Sequence, residues 1–551
     1  MGSSSRRTWR AVVVLVGSSL AVLATAMPAQ PGRAGYHDEG PEAHTSAPAT
    51  ALGLAGQHDW SPEAHTFAPT TVLGPDRSSA QVPAPGSWSV ETNLDRVVHV
   101  FDLPGTNDTI LACAGSGNLR DRHVARQWTC QRYDRTGGGL QSVALPDDWF
   151  CGSAVHDVNG NIITSGGTSA YPEDNGGRWG GSDHTYRYVR GSGAIVRLGD
   201  MHVERWYGNK VRNQAGDIFE FGGQSDATVQ SMVEVLRNGS STWQVLPWAK
   251  TMGAYPDFEL IAPNTAAYTG ASTSNSSRTP TIINLVTGAE TPTPGLQEPT
   301  NRNASAALGL YPAQRQELLV LGGGNRSGDP STDAVDLIDY SVWPATVPSF
   351  TPRAPLPVPM LFVLAVNLPN GQVFVTGGTS IWRSGSVRWA GFYDRELDEW
   401  TQVATPTVGR NYHSSIRVNL DGSVSTYGGN PSELVFESRV ETYRPWYMSQ
   451  PRPRVTQFTK NMTYGNSYPV SVALPTGTQL GYFTLDAARA STHSASDPAQ
   501  RLADLPFTID GSGQVQVTVP DDRSLLVPGW YKLTANTTDR VPSKSVWVQI
   551  R

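Results

Sequence analysis

The fold of this 551-residue chain is decided by a short repeated stretch, which reads GQVFVTGG at residues 371–378. A run of strand-forming residues follows a turn-type glycine and enters a pair of glycines. The stretch recurs at intervals of about 48 to 56 residues, a period that indicates a repeat architecture of seven units. The other clear copies are NGNIITSGG at 159–167, AGDIFEFGG at 215–223, ELLVLGG at 317–323 and GSVSTYGG at 422–429, and degenerate copies end near Gly115 and Gly270.

A four-stranded sheet fits each unit, and seven such sheets around an axis form a β-propeller. The pattern resembles kelch repeats. We therefore expect an all-β fold with a seven-bladed kelch-type β-propeller over residues 87–447. From residue 448 the period stops, and runs such as 468–474 and 544–550 alternate between apolar and polar residues. About 100 residues of this kind predict a C-terminal immunoglobulin-like β-sandwich over residues 448–551.

The composition agrees with a β-rich protein and argues against one class of partner. The chain is 38% hydrophobic with 55 Gly and 40 Pro, which suits short strands and turns better than long helices. The formal net charge is -6 and the sequence contains no block of Lys and Arg. Electrostatics therefore give no reason to expect a nucleic-acid partner.

The first 29 residues read as a bacterial-type export signal. Arg6, Arg7 and Arg10 precede an apolar run that ends near Ala26, where small residues permit cleavage. A twin-arginine signal and an uncleaved N-terminal anchor are the alternatives to ordinary cleavage. No later segment approaches the ~20 apolar residues that span a bilayer. We expect a secreted, extracellular protein, either released or anchored by its N-terminal segment.

Residues 30–86 are rich in Pro, Ala and His and contain an internal duplication. The stretch HDEGPEAHT at 37–45 returns as HDWSPEAHT at 58–66. This composition cannot bury a hydrophobic core, and we interpret the segment as a low-complexity linker.

The chain has three cysteines. Cys113 and Cys130 lie close together and form either a disulfide or two free thiols. Cys151 is left over, and an odd cysteine in an exported chain is either a buried thiol or a reactive group.

Ligand-type side chains occur at four places far apart in the sequence. Cys151, Tyr207 and Tyr412 each precede a glycine pair by about 15 residues, and equal phase in a repeat fold predicts the same end of the barrel. Tyr412 and His413 can serve one site only where the chain enters or leaves a strand. With His493 from the C-terminal domain, two imidazoles and two phenolate oxygens form a tetragonal donor set that favours copper(II). A sulfur bonded to a tyrosine ring would also lower the potential at which that phenol is oxidised.

These residues carry a resemblance to the copper radical oxidases, the group of galactose oxidase and glyoxal oxidase. The resemblance covers nearly all of residues 87–551. Each motif alone is unspecific, but their order and spacing together are specific. The motifs are Phe150-Cys151, Arg205-Trp206-Tyr207 (typical of the glyoxal oxidase branch), Tyr412-His413-Ser414, Ala490-Ser491-Thr492-His493 with Gln500-Arg501, and the ending from Pro528 to Ile550.

The resemblance implies a role for each site residue. Tyr207 is the equatorial ligand of one copper ion per chain, is joined to Cys151 by a thioether and holds the radical. Tyr412 is the axial ligand and the general base. His413 and His493 are the remaining copper ligands. The cross-link would form from the protein itself with copper and dioxygen.

The implied reaction is the oxidation of a small aldehyde, alcohol or carbohydrate. Tyr412 takes the hydroxyl proton, the Tyr207 radical abstracts a hydrogen atom from the substrate carbon, and copper(II) accepts the second electron. Dioxygen then reoxidises the site and leaves as hydrogen peroxide. The expected partners are the substrate and dioxygen, and we expect a monomer.

The sequence departs from the galactose oxidase pattern in two places. Gln224 and its neighbours stand where galactose oxidase has a tryptophan that covers the cross-link, and Trp382 from another loop is a candidate replacement. The sugar-binding N-terminal domain is also missing, and the linker occupies its place. Both departures favour a glyoxal-oxidase-like enzyme that acts on small aldehydes or primary alcohols.

Two other functions are compatible with a propeller, because this fold hosts many unrelated activities. A non-catalytic kelch propeller that binds a glycan or a protein partner has no need for the five site residues together. A propeller hydrolase would need clustered arginines and acids in phase with the repeats, which the sequence lacks. The remaining histidines, of which His202 is nearest Tyr207 in sequence, are interpreted as ordinary surface or core residues: His99, His123, His156, His184 and His202.

Overall fold

The protein, in a computed structural model, is an all-β structure of antiparallel sheets, as the sequence predicts. The α-helix of the described residues is a single short segment, Arg120–Val124. Within those residues, no helix is long and apolar enough to cross a membrane. The predicted export signal and nearly all of the predicted linker lie outside the described residues. The structure describes residues 85–271, 279–325, 330–431, 435–493 and 501–551, which belong to one compact unit, Val72–Arg551.

The strands are numbered in chain order. Up to residue 271 they are β1 Ser87–Asn93, β2 His99–Asp102, β3 Thr109–Gly115, β4 Thr129–Asp134, β5 Leu140–Ala144, β6 Ser153–His156, β7 Ile162–Ser165, β8 Thr168–Ala170, β9 Gly180–Gly181, β10 Thr185–Tyr188, β11 Ile195–Arg197, β12 Trp206–Arg212, β13 Ile218–Ser225, β14 Thr228–Val229, β15 Met232–Leu236, β16 Trp243–Ala249, β17 Phe258–Ala262 and β18 Thr265–Tyr268. From residue 279 to 431 they are β19 Thr281–Asn284, β20 Glu290–Pro292, β21 Ala306–Gly309, β22 Glu317–Leu321, β23 Val335–Asp339, β24 Thr351–Arg353, β25 Leu364–Asn367, β26 Val373–Thr376, β27 Thr379–Ile381, β28 Ser384–Ser386, β29 Ala390–Asp394, β30 Glu399–Gln402, β31 Ser414–Val418 and β32 Val424–Gly428.

The last strands, from residue 435 onward, are β33 Arg439–Arg444, β34 Arg454–Phe458, β35 Asn461–Met462, β36 Ser467–Ala473, β37 Leu480–Ala487, β38 Ala490–Thr492, β39 Leu502–Leu505, β40 Phe507–Ile509, β41 Val515–Thr518, β42 Gly529–Thr537 and β43 Val546–Ile550. Short 3-10 helices span Pro172–Asp174, Ala313–Arg315, Tyr340–Val342 and Trp446–Ser449.

Among the described residues between 87 and 444, seven antiparallel sheets of at least four strands succeed one another, besides the two-stranded sheets β8-β9 and β27-β28. We call the strand written first in each sheet below its first strand, and we number the seven sheets 1 to 7 in the chain order of these first strands. In sheet 7 the outer strand β1 pairs with β33, so the beginning and the end of this region are joined by backbone hydrogen bonds. The sheets are β2-β3-β4-β5, β6-β7-β10-β11, β12-β13-β15-β16, β17-β18-β19-β20, β21-β22-β23-β24, β25-β26-β29-β30 and β31-β32-β33-β1.

The first strands of the sheets lie beside one another. β6 contacts β12, β12 contacts β17, β21 contacts β25, β25 contacts β31, and β31 contacts β2. The residues at the start of these strands therefore face a common region. The predicted site residues from the repeats all occur there.

The repeated glycines end the second strand of each sheet, and buried arginines bond to this region of three sheets. Nη1 of Arg205 donates to the carbonyl oxygen of Gly222 at 2.5 Å, and Nη1 of Arg410 donates to that of Gly428 at 2.6 Å. Arg302 donates in the same way to the carbonyl of Ala334 at 2.7 Å. The sequence analysis did not anticipate this role for the arginines, which add side-chain donors to buried backbone carbonyls.

The C-terminal residues form two further sheets, β34-β36-β41-β40 and β35-β43-β42-β37-β39, around a common apolar core. The strands predicted near 468–474 and 544–550 are confirmed by β36 and β43. Strand β38 leaves this region and pairs with β2, so that Thr492 lies opposite His99. The C-terminal chain thereby contributes a fifth strand to sheet 1.

The cysteine pair is resolved by the structure. Cys113 and Cys130 are directly opposite each other on β3 and β4 and form a disulfide. Cys151 is free and fully buried.

A glycine substitution tests how tightly the sheets meet. Gly428 has φ +66°, and a Cβ there would lie 2.2 Å from the carbonyl oxygen of Val97 and 2.4 Å from that of His413. Gly239 has φ +84° with open space around it, so Gly239→Ala isolates the conformational cost of about 1–2 kcal/mol. We expect Gly428→Ala to add about 1–3 kcal/mol of overpacking to that cost. Denaturant unfolding midpoints measure both, and equal losses would contradict close contact between sheets 1 and 7.

Candidate metal centre

The structure brings all five predicted site residues into one buried cluster, which we call the site cluster. It contains Cys151, Tyr207, Tyr412, His413 and His493. The ring centroids of the two histidines are 4.5 Å apart. The His493 ring lies 5.0 Å from the Tyr207 ring and 5.7 Å from the Tyr412 ring.

Each member of the site cluster lies at the start of a first strand or directly after β38. Cys151 precedes β6, Tyr207 is the second residue of β12, and Tyr412 and His413 directly precede β31. The position of Tyr412 and His413 at the entrance to a strand lets neighbouring side chains reach one site, which a regular strand forbids. His493 directly follows β38, so it enters the cluster from the C-terminal chain.

Four of the five residues have a left-handed backbone, which non-glycine residues rarely adopt. The φ angles are +60° at Cys151, +66° at Tyr207, +62° at His413 and +51° at His493. The first three share this conformation with the equivalent residues of sheets 4, 5 and 6, so it belongs to the repeat. His493 lies outside the repeat, and its strain is local to the site. The equivalent residues are Tyr255, Ala304 and Phe362.

Each histidine has one ring nitrogen engaged and the other directed into the cluster. Nδ1 of His413 pairs with Oδ1 of Asn430 at 3.0 Å, and Nδ1 of His493 pairs with Oγ1 of Thr492 at 2.6 Å. Nε2 of His413 is then 3.5 Å from the hydroxyl of Tyr207. Partners of this kind fix the orientation and tautomer of metal-binding histidines.

The cysteine sulfur lies between the two imidazoles. Sγ of Cys151 is 3.4 Å from Nε2 of His493 and 3.9 Å from Nε2 of His413. The ligand atoms of these three residues all lie within 4.8 Å of one another, a spacing that can hold a metal ion.

Burial keeps the site cluster neutral in the absence of a metal. Burial, and then the nearby Arg383, lowers the pKa of His413 well below 6.5, and burial likewise lowers the pKa of His493. Burial raises the pKa of the Tyr412 phenol and the Cys151 thiol well above their ordinary values. Neutral imidazoles are ready to bind a metal, and a bound cation favours the ionised forms of the phenol and the thiol.

The donor set fits the predicted copper. Two imidazoles and two phenols lie together in the buried cluster, and nitrogen and oxygen donors in tetragonal geometry suit copper(II). His413, His493, Tyr207 and Tyr412 would hold the ion, and Cys151 adjoins them. These roles stay predictions, whereas the proximity of the five residues is observed.

The strands that carry Cys151 and Tyr207 are joined twice. The backbone N–H of Tyr207 donates to the carbonyl of Cys151 at 2.9 Å. A short distance along the same strands, Nζ of Lys210 lies 2.6 Å from a carboxylate oxygen of Glu220 and donates to the carbonyl of Ser153 at 3.1 Å. Both charged side chains are fully buried and pair across β12 and β13 within sheet 3. Their bonds to Ser153 and Ser165 join this pair to sheet 2 beneath the site cluster.

Tyr255 is a site neighbour that the sequence analysis missed. Its ring centroid is 4.5 Å from that of His493 and 4.8 Å from that of Tyr207, and its hydroxyl donates to the carbonyl of Gly152 at 2.8 Å. The signal was present, because Tyr255 precedes the degenerate glycine Gly270 by the same 15 residues as the other site residues.

The tryptophan on the Tyr207 ring is Trp206, and the candidate Trp382 lies elsewhere. The ring centroids of Trp206 and Tyr207 are 3.9 Å apart with an interplanar angle of 36°. Trp382 lies at the tip of the β27–β28 hairpin and packs against Phe362 at 4.9 Å and Tyr412 at 6.0 Å. This hairpin connects the second and third strands of sheet 6, β26 and β29, and reaches Tyr412, which precedes the neighbouring sheet 7.

The wall near Tyr412 also contains a cation. The guanidinium of Arg383 lies 4.5 Å above the Tyr412 ring, and its Nη2 donates to Oδ1 of Asn430 at 2.8 Å. Asn430 therefore connects Arg383 with His413. The sequence analysis named neither residue because neither belongs to a recurring motif.

The other histidines each have a carbonyl or carboxylate partner, in agreement with an ordinary role. His99, below His493 with ring centroids 5.8 Å apart, pairs through Nε2 with the carbonyl of Trp149. The remaining partners are Asp148 for His123, the carbonyl of Asp102 for His156, Asp147 for His184 and Glu234 for His202.

Comparisons with known proteins confirm the resemblance. Residues 452–550 match the family described as "Galactose oxidase-like, Early set domain". A galactose oxidase of Gibberella zeae is 24% identical over 472 residues, which cover 77% of this chain and 66% of that protein, slightly under two thirds. An aldehyde oxidase GLOX of Vitis pseudoreticulata is 25% identical over 534 residues, which cover 82% of this chain and 98% of that protein.

A solved structure shares the fold. It is a fungal alcohol oxidase of the AA5 family in complex with copper, with a TM-score of 0.73 and 21% sequence identity. The match covers 85% of this chain and 99% of that chain.

Loss of the Asn430 amide tests the orientation of His413. Asn430→Leu removes the acceptor at Nδ1 of His413, and we expect copper(II) affinity to fall about 10- to 100-fold. Asn367→Leu is the matched control, because Asn367 is equally buried. Its amide, in sheet 6, donates to the carbonyl of Gly309 in sheet 5 and not to a site residue. Competition with a chelator measures the affinities, and equal affinities in the two variants would refute the role of Asn430.

The buried histidines predict a pH dependence of the metal-free protein. Burial lowers the pKa of His99 to about 4, whereas the unfolded residue titrates near 6.5. Below pH 6.5 the unfolded chain binds more protons than the folded chain, so stability falls as pH falls toward 4. We expect the stability advantage of the wild type over His99→Gln to shrink across this range, as measured by urea unfolding. A difference independent of pH between 7 and 4.5 would contradict a neutral, buried His99.

Proposed function

We propose that the chain is a copper radical oxidase that oxidises small aldehydes or primary alcohols and reduces dioxygen to hydrogen peroxide. The observation that carries the proposal is the convergence of Cys151, Tyr207, Tyr412, His413 and His493 in one buried, neutral cluster. The named relatives, a galactose oxidase and aldehyde oxidases, support the same reaction class.

Copper would be held by His413, His493, Tyr207 and Tyr412. Bound copper supplies a one-electron acceptor and an open position for the substrate oxygen. The left-handed backbone at His413 and His493 and the partners at both Nδ1 atoms hold the two Nε2 atoms in place before a metal arrives.

The cross-link would form between Cys151 and Tyr207. The S–H bond of the thiol and one ring C–H bond of the phenol are replaced by a sulfur–carbon bond. The two hydrogens, as two protons and two electrons, pass to dioxygen and give hydrogen peroxide. Adjacent strands hold these residues together, since the N–H of Tyr207 donates to the carbonyl of Cys151.

In turnover Tyr412, in the ionised form that a bound cation favours, would accept the hydroxyl proton of the substrate. The oxidised Tyr207 then takes one hydrogen atom from the substrate carbon. A primary alcohol and dioxygen give an aldehyde and hydrogen peroxide, and a hydrated aldehyde gives the carboxylic acid. The relatives, which are 22–25% identical, include both a galactose oxidase and aldehyde oxidases. We favour small aldehydes over galactose because the sequence near Gln224 departs from the galactose oxidase pattern.

We further propose that sheets 1 to 7 are the blades of a kelch-type β-propeller over residues 87–447. The contacts between successive first strands and the closure of sheet 7 by β1 support this architecture. The two C-terminal sheets support an immunoglobulin-like sandwich over residues 448–551.

Export and a monomeric state complete the proposal. The Cys113–Cys130 disulfide supports an oxidising compartment such as the cell exterior. The predicted signal over residues 1–29 and linker over residues 30–86 would deliver and space the folded part. No nucleic acid is expected as a partner at a net charge of -6.

Intact mass after copper loading in air tests the cofactor. The thioether removes two hydrogens, and so does the disulfide, but thiol reductants reverse only the disulfide. We therefore expect reduced, copper-treated wild type to remain two hydrogens lighter than its sequence mass. Cys151→Ser and Tyr207→Phe should show no such loss, while Cys113→Ser should retain it.

The activity is then measured by peroxide release. We expect release with small aldehydes or primary alcohols from the wild type and none from Cys151→Ser. An unchanged mass after reduction, with no tight copper binding, would overturn the oxidase and favour a propeller that binds a glycan or a protein.

A further inference from the structure

The site cluster has an aromatic connection to the protein surface. Besides His413, whose Nε2 lies 3.5 Å from the Tyr207 hydroxyl inside the cluster, three rings pack against the ring of Tyr207, namely Trp206 at 3.9 Å, Tyr255 at 4.8 Å and His493 at 5.0 Å. Tyr255 and His493 are buried and contact each other, so they lead back into the cluster. Among the described residues, Trp206 is the contact that leads outward.

The outward step is a parallel stack of two indoles. The ring centroids of Trp206 and Trp179 are 4.8 Å apart with an interplanar angle of 9°. Trp206 is buried, whereas Trp179 is partly exposed and follows the exposed residues 176–178. The stack therefore spans the distance from the buried phenol of Tyr207 to solvent.

We propose that the Trp206–Trp179 stack is an electron-transfer route by which one-electron oxidants at the protein surface convert Tyr207 to its radical. The proposal rests on the proposed function, since it assumes an oxidisable Tyr207 in a copper site. The route gives a second way to oxidise Tyr207, which depends neither on substrate nor on access through the Tyr412 side of the site cluster.

The chemistry of the indoles suits this role. Indole is among the most easily oxidised side chains, and face-to-face contact lets the π systems of the two rings overlap. Nε1 of Trp206 is buried without a hydrogen bond to an oxygen or nitrogen acceptor. The Trp206 side chain bonds instead to the sulfur of Cys151. A thioether sulfur is only a weak acceptor and does not remove the indole proton, so oxidised Trp206 keeps it until an electron returns.

Each step moves one electron outward, from the buried Tyr207 toward the oxidant at the protein surface. The surface oxidant, for example a ruthenium(III) polypyridyl complex, takes one electron from Trp179 and becomes ruthenium(II). Trp179 recovers an electron from Trp206, and Trp206 recovers one from Tyr207. Tyr207 as an ionised metal ligand loses one electron and no proton, so it ends as a neutral radical. Its lowered potential, through the bond to Cys151, makes it the resting place of the oxidation.

A packing role is the competing explanation of the stack. Trp179 also lies against Tyr171 at 4.6 Å and Phe150 at 6.2 Å, so it covers the aromatic side of the cluster. A cover needs only a ring of suitable size, whereas a route needs an oxidisable ring. Phenylalanine and tyrosine at position 179 separate the two roles, because both fill space but only tyrosine is oxidised readily.

The experiment uses the copper-loaded, cross-linked protein and flash-generated tris(bipyridyl)ruthenium(III). Formation of the Tyr207 radical is followed by its visible absorption and by electron paramagnetic resonance. We expect Trp179→Phe to slow radical formation about tenfold or more, the effect of about 1.4 kcal/mol of added barrier. Trp179→Tyr should keep most of the wild-type rate. Trp248→Phe is the matched control, since Trp248 is also partly exposed but contacts Phe221 instead.

The outcomes separate this inference from the proposed function. Equal rates in Trp179→Phe and Trp248→Phe, or equal slowing in Trp179→Phe and Trp179→Tyr, would overturn the route. A wild type without the thioether mass change, or without a radical under any oxidant, would overturn the proposed function itself. Intact mass of each variant establishes that the cross-link is present before the rates are compared.

Discussion

The interaction on which the structure most depends is a buried carboxylate, Asp102, shared by three parts of the chain. It accepts from Nε of Arg417 on β31 at 2.5 Å and from the backbone N–H of Arg489 at 2.9 Å, and it lies 3.1 Å from Nζ of Lys532 on β42. The charged side chains are at most 1% exposed. Arg417 and Lys532 hold the pKa of Asp102 well below its ordinary value despite burial. Removal of one partner would leave an uncompensated buried charge, at a cost of about 3–5 kcal/mol. These ion pairs therefore hold together sheet 1, sheet 7 and the C-terminal sheets.

This arrangement explains how residues far apart in sequence share a site. Arg417 continues the strand that His413 precedes, and Arg489 introduces the strand β38 that delivers His493. On the other side of the cluster, the Lys210–Glu220 pair of sheet 3 bonds to Ser153 at the start of β6, two residues after Cys151. Buried charges thus position the donors from outside the cluster, while the cluster itself carries no charge.

The neutrality of the cluster has a chemical consequence. Burial depresses the pKa of both imidazoles and raises those of Tyr412 and Cys151, so these four groups are uncharged before a metal binds. A bound dication reverses that preference for the phenol and the thiol. Metal binding, ionisation and the stability of the folded state are therefore coupled in this protein, because a metal that binds only the folded chain also stabilises it. Arg383, which lies over Tyr412 and bonds to Asn430, places one further positive charge at the wall of the site.

The sequence by itself determined the repeated strands, their glycine ends and the identity of the five clustered residues. Strand periodicity and equal spacing from the glycines are local properties, and they placed Cys151, Tyr207 and Tyr412 in one phase. The same spacing would have found Tyr255 before the degenerate Gly270. Only the tertiary structure decided which indole covers Tyr207: Trp206 in β12 packs on it, whereas the hairpin of Trp382 approaches Tyr412, and sequence spacing carries no such information. The route of β38 into sheet 1, which brings His493 to the cluster, was likewise decided by pairing across some 390 residues with β2, a contact that no local pattern encodes.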